Sequence, residues 1–359
     1  MPHFPQKTHI TRKDFLKLVG GAFGIGALSY FIGINDHPAP TPGADAPEYI
    51  DSASAFPVFR GPYLQKNARL AAMLFPADLA ALTAHCNQTI NASLTSPFTY
   101  IPLTSSLLVV YANMLVSSLD ERDSRVGLIP ETEVGFWLLT IAMRRTATGL
   151  APDHLAWHLP YLFVDESNAT ATGREVYGFN KLAGSFTKPG QTQPSSFALN
   201  VLAFRQFGPE SIAQTERLLE VQSPASQAFP TQWHDWQSAK SDLSAALLPQ
   251  LRLDLGQEIV EFAAGAALRR IPLAFIKQFR HAANSTKASY QALVEAPMRI
   301  HAFRSGGFFS QPHEMNIQQL ASHPLAQKLG LAEKQKSSIS AWLDVDFILE
   351  HGSEYPNFA

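Results

Sequence analysis

Cysteine is almost missing from this chain, with Cys86 alone among 359 residues. A single cysteine excludes an internal disulfide and any metal site built from a cysteine cluster. Charge is also sparse: 16% of residues are charged, the net charge is −2, and no basic stripe is present, so no nucleic-acid partner is expected. No Gly-x-Ser-x-Gly occurs, which removes the nucleophile elbow of the serine hydrolases. No Gly-Lys-Ser/Thr phosphate loop occurs either. The glycine-rich run from Gly20 to Gly26 does not replace it, because no strand precedes it. One hydrophobic stretch, Leu18 to Ile34, reaches the lower edge of membrane-spanning length.

What is present begins with that amino-terminus. Thr11-Arg12-Lys13-Asp14-Phe15-Leu16-Lys17 resembles a twin-arginine export signal with lysine in place of the second arginine, and a mildly apolar, glycine-rich run follows it. Residues 1–35 are therefore expected to be an export signal or a membrane anchor, which puts the protein in the periplasm or on the inner membrane. Residues 36–55 read as a linker, since Pro38, Pro40, Pro42, Gly43 and Pro47 among small residues cannot bury a core. The remainder has the 46% hydrophobic content of an ordinary globular chain and is long enough for one large domain or two modest ones.

Within that body, β-branched and aromatic runs alternate with turns from residue 98 to 204. Leu107–Tyr111, Phe136–Ile141, Tyr161–Val164 and Phe197–Phe204 all predict strands. Asn284-Ser285-Thr286 predicts a hairpin turn between Phe275–Arg280 and Tyr290–Val294. Residues of about 206–270 differ, because Glu210–Val221 and Gly256–Arg270 show helical spacing and predict a helical insertion.

Several side chains are candidates for chemistry. His154 and His158 stand four apart, but no third ligand is spaced nearby, and Trp157 with Leu159-Pro160 suggests a strand, so structural histidines are expected and no metal. Trp233-His234-Asp235-Trp236 lies in the insertion and lacks a nucleophile. Glu131 and Glu133 share a face if their segment is a strand; paired carboxylates can split their pKa values for acid–base work, and two surface glutamates fit the same spacing. Lys181 ends the mostly apolar run Gly173-Arg174-Glu175-Val176-Tyr177-Gly178-Phe179-Asn180-Lys181. In strand form, Glu175, Tyr177, Phe179 and Lys181 share a face. Taking an ammonium out of water favours the neutral amine, which condenses with a ketone to a Schiff base. On spacing alone, a solvated strand end is the commoner reading.

The Gly-Arg-Glu-(x5)-Lys run resembles the catalytic-lysine segment of the acetoacetate decarboxylase family. Three further segments are similar in the same order: Phe59-Arg60-Gly61-Pro62-Tyr63, Thr132-Glu133-Val134-Gly135, and Tyr161–Asp165 leading into Gly173. Later strands of the family are matched by Phe275–Arg280 and Gln291–Ala296, so the resemblance covers most of 56–204 and 271–350. Departures accompany it. The family places a second lysine after the nucleophile, whereas Asn180 and Leu182 flank Lys181. The family arginine falls at Ala68, with Arg69 one residue on, and a second family glutamate has no counterpart near Val110 and Tyr111.

The resemblance implies an α+β fold, β-rich around a closed antiparallel barrel, spanning 56–359 with the helical insertion inside it, and a homo-oligomer. It implies decarboxylation of a β-keto acid through a Schiff base on Lys181, with Glu133 handling protons and no metal or organic cofactor. Arg69 or Arg174 would pair with the substrate carboxylate, and Tyr177 and Phe179 would wall the pocket. Two alternatives stay open: a Schiff-base aldolase-dehydratase acting on keto acids, and a non-catalytic periplasmic binding module in which Lys181 pairs with an acid.

Overall fold

The computed structural model describes residues 48–50, 58–93, 96–147, 149–187, 195–224, 232–255 and 271–356. The expected signal and nearly all of the linker lie outside them, as does Gly256–Arg270. Among the described residues no helix is long and apolar enough to cross a membrane.

Strands dominate. The first half holds β1 (Tyr63–Pro76), β2 (Phe98–Pro102), β3 (Ser106–Ser118), β4 (Ile129–Thr146), β5 (Gly149–Val164), β6 (Lys181–Ala183), β7 (Ser185–Thr187), β8 (Phe197–Ala203) and β9 (Gln214–Gln222). The second half adds β10 (Pro272–Arg280), β11 (Ala288–Phe308), β12 (Glu314–Ile317), β13 (Lys334–Lys336), β14 (Ile339–Leu349) and β15 (Ser353–Pro356). Helices are few and short: α1 (Leu79–Gln88), α2 (Ser167–Thr172), α3 (Trp236–Leu247) and α4 (Leu325–Leu329). Each strand run predicted between 98 and 204 lies in a strand, apart from Phe204, which follows the end of β8, and the predicted hairpin joins β10 to β11 in antiparallel register.

The larger sheet has ten strands, and its pairings form a circuit. They run β4–β3–β1–β14–β11–β10–β5 and return to β4 through the long antiparallel β4–β5 ladder. The circuit is not wholly antiparallel, a correction to expectation: β10 pairs β5 in parallel, and β6 then joins β5 in parallel. The chain from β5 to β6 crosses over through α2 and the turn after it instead of making a hairpin, and a crossover of that kind permits parallel pairing.

A five-stranded sheet, β13–β12–β9–β8–β7, packs on the larger one. Phe197, Leu199, Leu219 and Val221 from it join Tyr111, Phe136 and Phe163 in the main core. The Tyr111 and Phe197 rings stack at 4.8 Å between centroids. This sheet overturns part of the predicted insertion, because Gln214–Gln222 is strand rather than helix. Leucine, glutamate and arginine there favour a helix locally, but pairing with β8 buries Leu219 and Val221 completely. Among the described residues of this region the α-helix is α3, started by Asp235, whose carboxylate accepts from the Ser238 amide at 2.8 Å. Trp233 is buried and donates to Asp242 at 2.8 Å, so the Trp-His-Asp-Trp cluster is a helix start and an anchor.

Candidate active site

The site is built on one face of β4. Glu131 and Glu133 flank Thr132, so strand alternation turns both carboxyls inward while Thr132 is pinned. Its amide donates to Asp165 at 2.7 Å, and its hydroxyl accepts from Asn113 at 3.1 Å. On the neighbouring strands Glu131 sits opposite Met114 and Glu133 opposite Ala112 and Val164.

The third member arrives on a turn that sequence periodicity does not describe. The predicted strand over 173–181 is a correction: Gly173–Tyr177 forms one π-helical turn after α2, and only Lys181 onward is strand. Gly178 ends the turn in the left-handed region at φ 82°, where a side chain would collide with the Lys277 backbone. Tyr177 and Phe179 still reach the pocket with Lys181, but by a turn rather than a shared strand face. Gly173 is required by contact, since a Cβ there would lie 2.8 Å from Cδ and 2.9 Å from Cε of Lys181. The lysine stem therefore packs directly on the glycine of the Gly-Arg-Glu run.

Lys181 is buried, and its Nζ donates to Glu131 Oε1 at 2.8 Å. The amine also stands 5.6 Å from the centre of the Phe179 ring. Glu133 hydrogen-bonds to Glu131, and two carboxyls can do so only when one carries a proton. Glu133 keeps it: burial disfavours its charged form, the Glu131 charge adds to this, and although Lys181 opposes both, the pKa rises to about 8. Glu133 is thus a neutral carboxylic acid beside the Lys181–Glu131 ion pair, and the group carries no net charge.

These side chains face a cavity with about 760 Å³ of atom-free space, counting the open solvent at its mouth. Its wall is mostly apolar, including Phe59, Met114, Leu162, Leu273 and Phe347. Tyr177 is fixed by donating to the Glu350 carbonyl at 2.8 Å, and burial keeps its hydroxyl protonated. The Trp137 indole nitrogen and the Thr172 hydroxyl, both on lining residues, have no hydrogen-bond partner.

Of the expected site residues, Lys181, Glu133, Tyr177 and Phe179 come together here, and Arg69 and Arg174 do not. Arg69 is exposed on β1, with Ala68 buried in its place. Arg174 is exposed on the π turn and donates to the Lys181 carbonyl at 3.4 Å, bracing the strand from outside. Glu131 was legible only as a strand neighbour of Glu133; that it holds the lysine depends on how β6 joins β5. His154 and His158 lie on β5 as structural residues. His154 bridges Asp153 and Glu295, and His158 is buried against the Ala274 carbonyl. Among the described residues no cluster suited to a metal ion occurs.

Solved structures share this arrangement of strands. An acetoacetate decarboxylase matches with a TM-score of 0.51 at 16% identity, over 87% of this chain and 97% of its own. The chain has the acetoacetate decarboxylase fold. The acetoacetate decarboxylase of Legionella pneumophila matches at 14% identity with a TM-score of 0.51, over 92% of this chain and 98% of its own. The enduracididine biosynthesis enzyme MppR, holding a condensation product of pyruvate and imidazole 4-carboxaldehyde, gives 0.53 at 13% identity, over 89% of this chain and 100% of its own. No protein-family model matches the chain, and no curated sequence does. In this chain the Lys181 strand lies along the edge of β5.

Proposed function

We propose that this protein is an enzyme that binds a carbonyl substrate as a Schiff base on Lys181. One observation carries the reading: a buried lysine amine meets a carboxylate at 2.8 Å beside a carboxylic acid that holds its proton, all facing one cavity. Glu131 takes a proton from the Lys181 ammonium, the freed amine attacks the carbonyl carbon, and the nitrogen passes one proton to the oxygen to give a carbinolamine. Glu133 then gives its proton to the departing hydroxyl, so oxygen leaves as water and the iminium remains. The iminium withdraws electrons from the neighbouring carbon and supplies the sink without a metal or an organic cofactor.

An iminium serves two outcomes. Loss of CO2 from a β-keto acid is the reaction the sequence leads to, and the two decarboxylases of the same fold support it. Aldol condensation with dehydration is the second reading, and Glu133 favours it. A carboxyl kept protonated near neutral pH beside the amine can protonate a leaving β-hydroxyl, and the same group reloads by taking the α-proton. MppR, captured with a condensation product, supports this reading by fold.

The closed strand circuit is proposed to act as a barrel around the cavity. From the sequence we also propose that residues 1–35 export or anchor the enzyme at the inner membrane, and that its copies form a homo-oligomer. Borohydride added to protein and a panel of ketones, aldehydes and keto acids tests the mechanism. A ligand-dependent adduct mapped to Lys181 by mass spectrometry is expected, and no adduct from any of them on folded protein rejects it in favour of the binding module.

A further inference from the structure

The charges around the cavity say which carbonyl compounds fit it. We infer that the substrate is an uncharged ketone or aldehyde with an apolar chain, rather than a keto acid, which sets aside decarboxylation in favour of the aldol outcome; this rests on the Schiff-base reading above. Among the described residues lining the cavity, Lys181 is the one cation, and Glu131 already balances it at 2.8 Å. Glu133 adds no positive charge in either of its forms. A substrate carboxylate entering this space would bring a net negative charge next to Glu131, among apolar side chains, with no partner to receive it. Burying an unpaired charge in that way is strongly unfavourable. A neutral ketone leaves the balance at zero before and after the iminium forms, because the iminium inherits the charge of the ammonium.

The backbone of β1 shows how the wall loses a cation. Tyr63 and Gln65 both line the cavity, as alternate residues on a strand do. Strict alternation would bring residues 67 and 69 to the same face. The pairing register slips instead, between Gln65 and Ala68 against β14 and between Lys66 and Arg69 against β3. Asn67 takes up the slip at φ 53°, a left-handed conformation that asparagine tolerates. Beyond the bulge Ala68 is fully buried in a cluster with Met114 and Phe347, two cavity residues, while Arg69 is exposed. The bulge thus turns Ala68 inward, behind the wall, and leaves Arg69 pointing out. Arg174, also expected to pair with a carboxylate, reaches the Lys181 carbonyl from outside.

The polar atoms left for a ligand are uncharged. The Trp137 N–H and the Thr172 hydroxyl, buried within the wall on lining residues, find no partner among the described residues and carry no charge. Thioethers from Met114 and Met298 and the Phe347 ring are suited to a hydrocarbon chain.

A matched pair tests this on the unaltered protein. Methyl pentyl ketone and its analogue with a carboxylate in place of the terminal methyl compete for Lys181 under borohydride, and the adducts are counted by mass spectrometry. The expected result is an excess of the neutral adduct of ~10-fold or more, since every tenfold corresponds to about 1.4 kcal/mol of discrimination. Equal labelling, or an excess of the carboxylate adduct, overturns the substrate assignment and leaves the Schiff-base reading standing. Labelling of Lys181 by neither compound, nor by any shorter ketone or keto acid, overturns the Schiff-base reading and the assignment with it.

Discussion

Strand β4 carries a cluster of buried charge near each end, and the two are built in opposite ways. At its start, Glu131 and Glu133 share one lysine. Toward its finish, Arg144 donates to Asp153 at 2.7 Å, His154 meets Asp153 at 2.8 Å and Glu295 at 2.6 Å, and Tyr100 donates to Glu295 at 2.6 Å. Two cations face two carboxylates there. Burial lowers the pKa of His154, but its two carboxylate partners outweigh this and raise it to about 9; burial raises that of Asp153, but His154 and Arg144 bring it down to about 2. His154, Arg144 and Asp153 are ionised and partnered there, the neutral Tyr100 hydroxyl donates into the cluster, and none of these residues lines the cavity. The Lys181 cluster is one cation short, so a carboxyl is forced to stay neutral, and open space lies beside it. Satisfied charge makes structure, whereas a carboxyl held against its nature next to a cavity makes chemistry.

The sharpest break in this comparison comes from Lys181→Ala. It should remove all imine trapping and turnover, with folded protein recovered, and trapping that persists would move the nucleophile elsewhere. Glu295→Ala should do the reverse. It leaves His154 and Tyr100 without their shared acceptor and is expected to lower stability by about 3 kcal/mol, read from denaturant melts, with trapping at Lys181 unchanged.

Glu133→Gln probes the neutral carboxyl itself. Its folded pKa, about 8, lies above its ordinary 4.5, so its contribution to stability is full below 4.5 and is lost as pH rises through about 8. Wild type should weaken across that window by at most about 1.4 kcal/mol per pH unit, and Glu133→Gln should flatten the slope. Activity should fall as pH passes about 8, when the proton needed by the leaving hydroxyl is gone. His154 adds a second decline toward pH 9 that the variant keeps, because its raised pKa gives stability that is full below 6.5.

Smaller effects follow at the margins. Gly173→Ala pushes on the Lys181 stem and should cost about 1 kcal/mol of stability with a larger fall in trapping rate. Arg69→Ala should change stability by less than about 0.5 kcal/mol and leave ligand affinity alone, because the side chain is exposed and outside the cavity. A marked loss of affinity for a keto acid in Arg69→Ala would contradict the placement of this residue.

Much of this was legible in the sequence where local pattern and packing agree. The strands from β3 to β5 and the β10–β11 hairpin were read correctly because β-branched and aromatic runs are bounded by turn residues. Lys181 and Glu133 emerged through the resemblance, and their meeting follows from β6 joining the edge of β5. Three features were hidden, each for a reason. Gln214–Gln222 has the composition of a helix and is a strand because its neighbour buries it. The π turn at Gly173 has no periodic signature, and Gly178 alone marks its end. The bulge at Asn67 inverts which residue of an adjacent pair faces inward, and no alternation pattern reveals that a single residue has been inserted.

Oxygen exchange measures the central step without assuming a product. In water labelled with heavy oxygen, a ketone that passes through an imine returns with solvent oxygen, since its own oxygen leaves as water and hydrolysis supplies the new one. The account predicts protein-accelerated exchange of a neutral ketone, lost in Lys181→Ala. Exchange unaffected by that substitution, or no acceleration for any ketone, aldehyde or keto acid, would contradict Schiff-base formation at Lys181.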